Sequence, residues 1–288
     1  MSDPLDLTAG GSVAAESVRG YAQVSGVRIV HESRGAGPAL VCCHAFAVDR
    51  IMWQPQLARF AWTHQVVTFD QRGSGESDHP VPVAGDPNPY TIDTFAEDLR
   101  GVLDALAIPR ARILGLSMGG ATALRFATRW PERVDGLILA STMASRLPEE
   151  IIERSKLVEQ VLARDGLREA FRFYFGGPLF EQVPRDSRAE AMAEMWAARA
   201  TPHGFLGSYA VTIDRPSMIE DLDRIQAPTL ILVGERDTLY RDEAETMARR
   251  IPSARKVIMK GLGHAMSVED PEAFADEVTR FLASLPRS

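Results

Sequence analysis

The sequence predicts an α/β protein with a mostly parallel, doubly wound sheet and a helical cap inserted between two of its strands. Short β-type runs alternate with amphipathic stretches along most of the chain, and this alternation is typical of a parallel sheet. One run, Ala39–Cys43, is apolar throughout, as expected of a strand buried on both faces. One long segment, residues 144–227, has helical patterns and no convincing strand.

The individual elements follow in a regular order. We predict strands at Val27–Glu32, Ala39–Cys43, Gln65–Phe69, Arg112–Leu114, Val134–Ala140, Thr229–Val233 and Lys256–Met259, and helices at Ile92–Leu106, Met118–Arg129, near Asp242–Arg250 and at Pro271–Leu285.

The chain of 288 residues is within reach of a single large α/β domain. We predict a core from residues 21–143 and 228–288, a helical cap from 144–227 and a flexible lead-in at 1–20. The cap should lie over the C-terminal edge of the sheet, where ligands bind in open α/β sheets. The alternative is a purely structural helical subdomain. The large apolar side chains of this segment include Phe171, Phe173, Tyr174, Phe175, Phe180, Met192, Met195 and Trp196.

The strongest local motif is Gly115-Leu116-Ser117-Met118-Gly119-Gly120, which matches G-x-S-x-G between a predicted strand and a predicted helix. A turn sharp enough to expose the serine oxygen forces strained backbone angles, and side chains two residues to either side would collide. Ser117 would also lie at a helix N-terminus, where the N–H groups favour developing negative charge. The motif predicts that Ser117 is a nucleophile.

A serine nucleophile needs a base and an acid, which follow it in the order acid, then histidine. Two histidines follow Ser117: His203, in a predicted surface turn of the cap, and His264, in a glycine-rich loop before the last helix. We therefore predict His264 as the base. Asp237 is predicted as the acid because the turn from Gly234 carries the chain round before it. Glu235 is the alternative.

These motifs together resemble the α/β-hydrolase superfamily from about Tyr21 to the C-terminus. Asp70-Gln71-Arg72-Gly73-Ser74-Gly75-Glu76-Ser77 resembles the family's D-x-R-G-x-G-x-S loop, and His44-Ala45-Phe46 resembles its H-G-x oxyanion segment. The resemblance implies the α/β-hydrolase fold and an oxyanion hole made by the backbone N–H groups of Phe46 and Met118. Ala45 stands where the family usually has glycine, so either the backbone is ordinary there or the hole is slightly displaced. We expect His44 and Arg72 to hold loops in place.

A serine nucleophile suits acyl transfer through an acyl-enzyme. The elbow and compact cap resemble the serine hydrolase branch with 3-oxoadipate enol-lactonases, haloperoxidase/perhydrolase-type esterases and meta-cleavage-product hydrolases. The resemblance implies hydrolysis of a carboxylic ester or lactone of a small, largely apolar substrate. Two alternatives stay open: a carbon–carbon bond hydrolase of the meta-cleavage type, and a ligand receptor or signalling protein that retains the triad.

Composition and residue spacing also indicate which partners, cofactors and location to expect. A net charge of −7 argues against nucleic acid, whose binders present clustered positive charge. We expect no membrane partner, because no stretch approaches the roughly 18 apolar residues of a membrane span. No signal peptide is visible, so we expect a cytoplasmic protein. The histidine and cysteine spacing predicts no metal, and no G-x-G-x-x-G follows a strand, so we expect no cofactor. A disulfide between the adjacent Cys42 and Cys43 is not expected.

Overall fold

The fold is an eight-stranded, mostly parallel sheet with flanking helices, as predicted. The computed structural model describes residues 17–177 and 194–286. The strand order across the sheet is β1-β2-β4-β3-β5-β6-β7-β8. The pairs β1–β2 and β2–β4 are antiparallel, and all remaining pairs are parallel. Phe180 and Met192 of the predicted cap lie outside the described residues.

The predicted strands all form, several of them one to three residues longer than expected. In the middle of the sheet every residue of β3, β5 and β7 is buried, in line with their largely apolar sequences. The strands are β1 (Val18–Val24), β2 (Val27–Arg34), β3 (Ala39–Cys43), β4 (Gln65–Phe69), β5 (Ala111–Leu116), β6 (Val134–Ala140), β7 (Thr229–Gly234) and β8 (Ala254–Met259).

Strand β1 was not predicted, and it begins inside the range expected to be a flexible lead-in. It pairs with β2 through a two-residue turn in which Ser25 and Gly26 have φ angles of 48° and 82°. Positive φ at both positions matches the right-handed twist of a hairpin. Because β1 is an edge strand with Val18 and Tyr21 exposed, its sequence lacks a clear apolar alternation. The lead-in prediction is therefore wrong for residues 18–20.

The predicted helices also form, with shifted ends. The helix expected near Asp242 already begins at Thr238, and a short helix after β3 was not predicted. The helices are α1 (Gln54–Phe60), α2 (Ile92–Ala105), α3 (Met118–Arg129), α4 (Glu149–Asp165), α5 (Leu167–Phe175), α6 (Pro202–Asp214), α7 (Thr238–Arg250), α8 (Met266–Glu269) and α9 (Pro271–Ser284), with 3-10 helices at Arg50–Trp53, Pro131–Arg133 and Ile219–Arg224.

The sheet has a topological switch point between its neighbours β3 and β5. From β3 the chain crosses to β4 on one side, and from β5 it crosses to β6 on the other. Ligands in open α/β sheets bind in the crevice at the carboxyl ends of such strands. Phe46 follows β3 and Ser117 directly follows β5, so both lie at this crevice.

Residues 144–177 and 194–227 belong to a helical insert between β6 and β7. The helices of these residues are α4, α5, a helical stretch at 194–197, α6 and the 3-10 helix Ile219–Arg224, and the same residues contain no strand. The Met218 N–H donates to the Ala144 carbonyl at 2.7 Å, which joins the two ends of the insert. The ring of Phe46 packs against three rings of the insert, with centroid separations of 4.9, 5.0 and 5.1 Å to Tyr174, Phe205 and Tyr209. The insert therefore contacts the C-terminal edge of the sheet.

Three further predictions concern a disulfide, a membrane span and a metal site. Cys42 and Cys43 are both buried free thiols. Within residues 17–177 and 194–286, no helix is both long enough and apolar enough to cross a membrane. The same residues contain no group of three histidine, cysteine or acidic side chains placed to hold a metal ion.

Candidate active site

The turn at Ser117 has the strained geometry that its motif predicts. Ser117 has φ 55° and ψ −115°, a conformation that L-residues rarely adopt. A Cβ at Gly115 would lie 2.2 Å from the Gly119 carbonyl oxygen, and one at Gly119 would lie 2.1 Å from the Cys43 oxygen. The glycines therefore let the start of α3 press against the ends of β5 and β3. The serine is held at the switch point as a consequence.

His264 and Asp237 are brought together by the close approach of their two loops. A Cβ at Gly234, the last residue of β7, would lie 2.2 Å from the Gly263 carbonyl oxygen. The Arg236 N–H donates to the Leu262 carbonyl at 2.8 Å, which ties the loops side by side. Asp237 then precedes α7, and its carboxylate faces the histidine loop.

The side chains of Ser117, His264 and Asp237 form one hydrogen-bonded chain. His264 Nδ1 lies 3.0 Å from Asp237 Oδ2, and His264 Nε2 lies 3.1 Å from Ser117 Oγ. With the proton on Nδ1, the imidazole donates to Asp237 and accepts from the Ser117 hydroxyl. All three side chains are buried. This is the spatial relation of a nucleophile, a base and a group that orients the base.

Glu269 binds the backbone of the histidine loop, and this role was not predicted from the sequence. The Gly263 N–H donates to Glu269 Oε2 at 2.6 Å, and the Ala265 N–H donates to Oε1 at 2.9 Å. One carboxylate therefore binds the backbone on both sides of His264. The five-residue separation between Glu269 and His264 is the only sequence signal that could have suggested this contact.

Glu235, the alternative acid, has a different partner. Its Oε2 accepts a hydrogen bond from the Gly261 N–H at 2.8 Å, so its carboxylate braces the start of the histidine loop. His203, the other histidine that follows Ser117, is in the first turn of α6 and not in the turn expected there. Asp237 and His264 are therefore the two candidates that the fold places in contact.

The two predicted oxyanion donors, the N–H groups of Phe46 and Met118, follow the ends of β3 and β5. Within the described part of the chain, neither Phe46 N–H nor Met118 N–H has a hydrogen-bond partner. Ala45 does not have a positive φ, whereas Ala47 does, at 63°. The backbone at Ala45 is thus compatible with alanine. The left-handed conformation, which favours glycine, occurs two positions later, at Ala47.

His44 and Arg72 hold loops, as expected. His44 Nε2 accepts from the Gln71 N–H at 2.9 Å, while burial lowers the pKa of its imidazole. Arg72 donates two bonds of 2.6 Å to Asp98. Burial raises the pKa of Asp98 to about 6, and the paired guanidinium opposes this rise. These contacts fix the loop after β4 beneath the crevice.

Tyr240 is a further residue of the site that sequence reasoning missed. Its ring packs against the His264 ring with centroids 4.7 Å apart. Burial raises the pKa of Tyr240 to about 12, while the nearby Arg215 and a hydrogen bond with the Ser117 side chain lower it. The phenol therefore stays protonated at neutral pH. Its position three residues after Asp237, in the first turn of α7, was the available signal.

The aromatic residues of the predicted cap divide between the interior and the surface. Phe171 and Trp196 are buried, whereas Phe173 and Met195 are exposed. Phe175 is half-buried, with its centroid 6.0 Å from that of Trp196. A small cleft beside Phe46 is lined by residues that include Phe171, Trp196, Arg199 and Phe205. The apolar side chains of the insert thus reach the crevice from one side.

The fold agrees with that of known proteins. The model of the alpha/beta hydrolase family matches residues 40–277, most of the chain. The chain belongs to the alpha/beta hydrolase family. This hydrolase is 30% identical over 276 residues to a putative 2-succinyl-6-hydroxy-2,4-cyclohexadiene-1-carboxylate synthase of Bacillus subtilis, covering 90% of this chain and 96% of that protein.

Two other relatives of this alpha/beta hydrolase are a lactonase and an esterase. It is 29% identical over 246 residues to 3-oxoadipate enol-lactonase 2 of Acinetobacter baylyi, covering 82% of this chain and 85% of that protein. It also resembles the solved structure of a thermophilic esterase from Thermogutta terrifontis, with 28% identity, a TM-score of 0.81, and coverage of 92% of this chain and 98% of that one.

Proposed function

We propose that this protein is a serine hydrolase that cleaves a carboxylic ester or lactone of a small substrate through an acyl-enzyme. The hydrogen-bonded chain from Ser117 Oγ through His264 to Asp237 carries the proposal. The names of the lactonase and esterase relatives support the reaction class. Residues 144–227 act in this proposal as a cap over the crevice.

In the proposed reaction His264 accepts one proton and then donates it to the leaving group. Ser117 Oγ attacks the carbonyl carbon and its proton passes to His264 Nε2, while Asp237 holds Nδ1–H and stabilises the imidazolium. The leaving alcohol then takes the proton from Nε2, and the acyl group remains on Ser117. Water attacks the acyl-enzyme by the same route, which releases the acid and restores the serine.

The Phe46 and Met118 N–H groups are the proposed oxyanion hole. Preorganised donors of this kind are each worth roughly 3–4 kcal/mol of barrier, because they are aimed at charge that develops only during the reaction. Both groups lack a partner in the described residues, so a substrate oxygen can accept from them without breaking a protein hydrogen bond.

Aromatic side chains favour a mainly apolar substrate body. Phe46, Tyr174, Phe205 and Tyr209 form a cluster of ring contacts next to the proposed hole. Concave sites lined by such side chains bind small molecules through apolar contact and use a few polar groups for orientation.

The test is multiple turnover of esters and lactones by the wild type, Ser117→Ala and Asp237→Asn. We expect Ser117→Ala to lower kcat by roughly 10⁴–10⁶ and Asp237→Asn by about 10⁴, with unchanged circular dichroism. Ser267→Ala is the matched control, because it removes a buried hydroxyl that has no hydrogen-bond partner in the described residues. Retention of a tenth of wild-type activity by Ser117→Ala would refute the serine mechanism.

Two further measurements, labelling with a fluorophosphonate and turnover of a vinylogous 1,3-diketone, separate the two alternatives. A protein whose Ser117 reacts with a fluorophosphonate but turns over no ester or lactone is a receptor or a hydrolase of another bond. Cleavage of a vinylogous 1,3-diketone without ester turnover would assign the carbon–carbon bond hydrolase.

A further inference from the structure

Arg215 is a buried cation at the end of α6, where the helical insert returns to the sheet. Only 5% of the residue is exposed. Its Nη1 donates to the Thr212 carbonyl at 2.5 Å and its Nη2 makes a long contact of 3.5 Å with the Met143 carbonyl. Its Nε–H is buried without a hydrogen-bond partner in the described residues. A guanidinium has five N–H donors, so most of its hydrogen-bonding capacity is unused.

The charge of Arg215 is also uncompensated at short range. Arg50 and Arg72, which are similarly buried, pair directly with Asp70 and Asp98. Arg215 has no carboxylate within 4.0 Å in residues 17–177 and 194–286. Glu243 acts on it only from a greater distance, and the Glu243 carboxylate accepts from the Ser145 N–H at 3.3 Å. A buried cation without a partner is costly, and an anion that binds beside it removes the cost.

Arg215 lies on the β6 side of the nucleophile. Met143, which it contacts, follows Thr142, whose hydroxyl donates to the Ser117 carbonyl at 2.8 Å. Arg215 also interacts electrostatically with Tyr240, whose ring packs against that of His264, the residue that hydrogen-bonds with Ser117. The guanidinium and the phenol thus form a polar group beside His264, the hydrogen-bond partner of Ser117.

We propose that Arg215, together with the Tyr240 hydroxyl, binds a carboxylate on the substrate, so that the substrate is an ester or lactone whose far end is anionic. Both groups present N–H or O–H donors, and a carboxylate accepts from a guanidinium in a planar, paired geometry. This inference rests on the proposed function and adds a charged terminus to its apolar substrate body.

The test compares substrates that differ only in that charge. Initial rates are measured by pH-stat for the monomethyl esters of succinic, glutaric and adipic acid. Methyl butanoate, pentanoate and hexanoate are their neutral partners of equal acyl length. The proteins are the wild type, Arg215→Met, Arg215→Lys and the control Arg224→Met, whose side chain is on the surface.

We expect the wild type to prefer the charged ester at one or more chain lengths. Arg215→Met should lower kcat/KM for the charged ester by roughly 10- to 100-fold, mainly through KM, and leave the neutral ester within about threefold. Arg215→Lys should recover the preference for the charged ester only in part. Lysine keeps the positive charge but lacks the planar guanidinium that pairs with a carboxylate. Arg224→Met should match the wild type on both esters.

Two results would overturn the inference and leave the serine mechanism intact. One is a wild type that hydrolyses charged and neutral esters equally well. The other is an equal loss on both esters in Arg215→Met, which would make Arg215 a structural clasp between Thr212 and Met143. If neither ester is hydrolysed, the proposed function itself fails. If Arg215→Met does not fold, inhibition of the wild type decides: glutarate should inhibit at least tenfold better than glutaramide, and equal inhibition refutes the carboxylate site.

Discussion

Replacement of Glu269 tests whether the backbone around His264 limits the reaction. The Glu269 carboxylate accepts from the N–H groups on both sides of His264, and it contacts neither Ser117 nor Asp237. Glu269→Ala removes both bonds. Glu269→Gln removes one of them, because its amide NH₂ then faces a backbone N–H.

The magnitude follows from these two bonds. A hydrogen bond to a charged group contributes about 1.5–3 kcal/mol, and we assign about 1 kcal/mol to each because Glu269 is half-buried. If the total of about 2 kcal/mol is lost from the transition state, kcat falls roughly 30-fold, since about 1.36 kcal/mol corresponds to a factor of ten. For Glu269→Gln we expect a loss of roughly fivefold.

The assay is kcat and KM for one ester, with the melting temperature as a separate readout. We expect kcat to fall with KM nearly unchanged, because Glu269 positions the base and does not touch the substrate. Glu235→Gln is the matched control, since Glu235 accepts a single bond from Gly261 in the same loop. A kcat for Glu269→Ala within about twofold of the wild type would refute the reasoning, as would an equal loss in Glu235→Gln.

Two further predictions concern stability and selectivity. Burial and the neighbouring Arg112, whose Nη1 lies 2.6 Å from His64 Nε2, lower the pKa of His64 to about 4. Between about pH 6.5 and pH 4 the imidazole is therefore protonated in the unfolded chain and neutral in the folded protein. The contribution of His64 to the free energy of unfolding is fully present above about pH 6.5 and falls by up to about 3 kcal/mol as the pH drops towards 4. Thermal unfolding between pH 7 and pH 4.5 should show this loss, and His64→Gln should reduce it, while buried histidines such as His44 still contribute. An unchanged slope in that variant contradicts the assignment. For the cap, Phe175→Ala and Trp196→Ala should change the ranking of acetyl, butyryl and octanoyl esters, because an apolar pocket discriminates by about 1–3 kcal/mol per methylene. A wild-type ranking in both folded variants would make this part of the insert structural.

Local rules explain what could be predicted from the sequence. Apolar runs such as Ala39–Cys43 identify buried parallel strands, and their alternation with helices limits the fold to a few arrangements. The turn at Ser117 was predictable because its strain and its glycines belong to one short segment. The order of motifs along the chain then indicated that Asp237 and His264 follow, and hydrogen bonds do join the three side chains.

The sequence by itself thus determined the fold class and the three side chains at the switch point, because each depends on contiguous residues with their own periodicity or turn geometry. Only the tertiary structure decided the contacts between distant segments. Edge strand β1 forms because it pairs with β2, and its own pattern does not specify it. Tyr240 packs against His264, and Arg215 has no carboxylate within 4.0 Å in the part of the chain that the structure describes, as a result of contacts between segments far apart in the sequence. Long-range packing sets such environments, and no local sequence pattern encodes them.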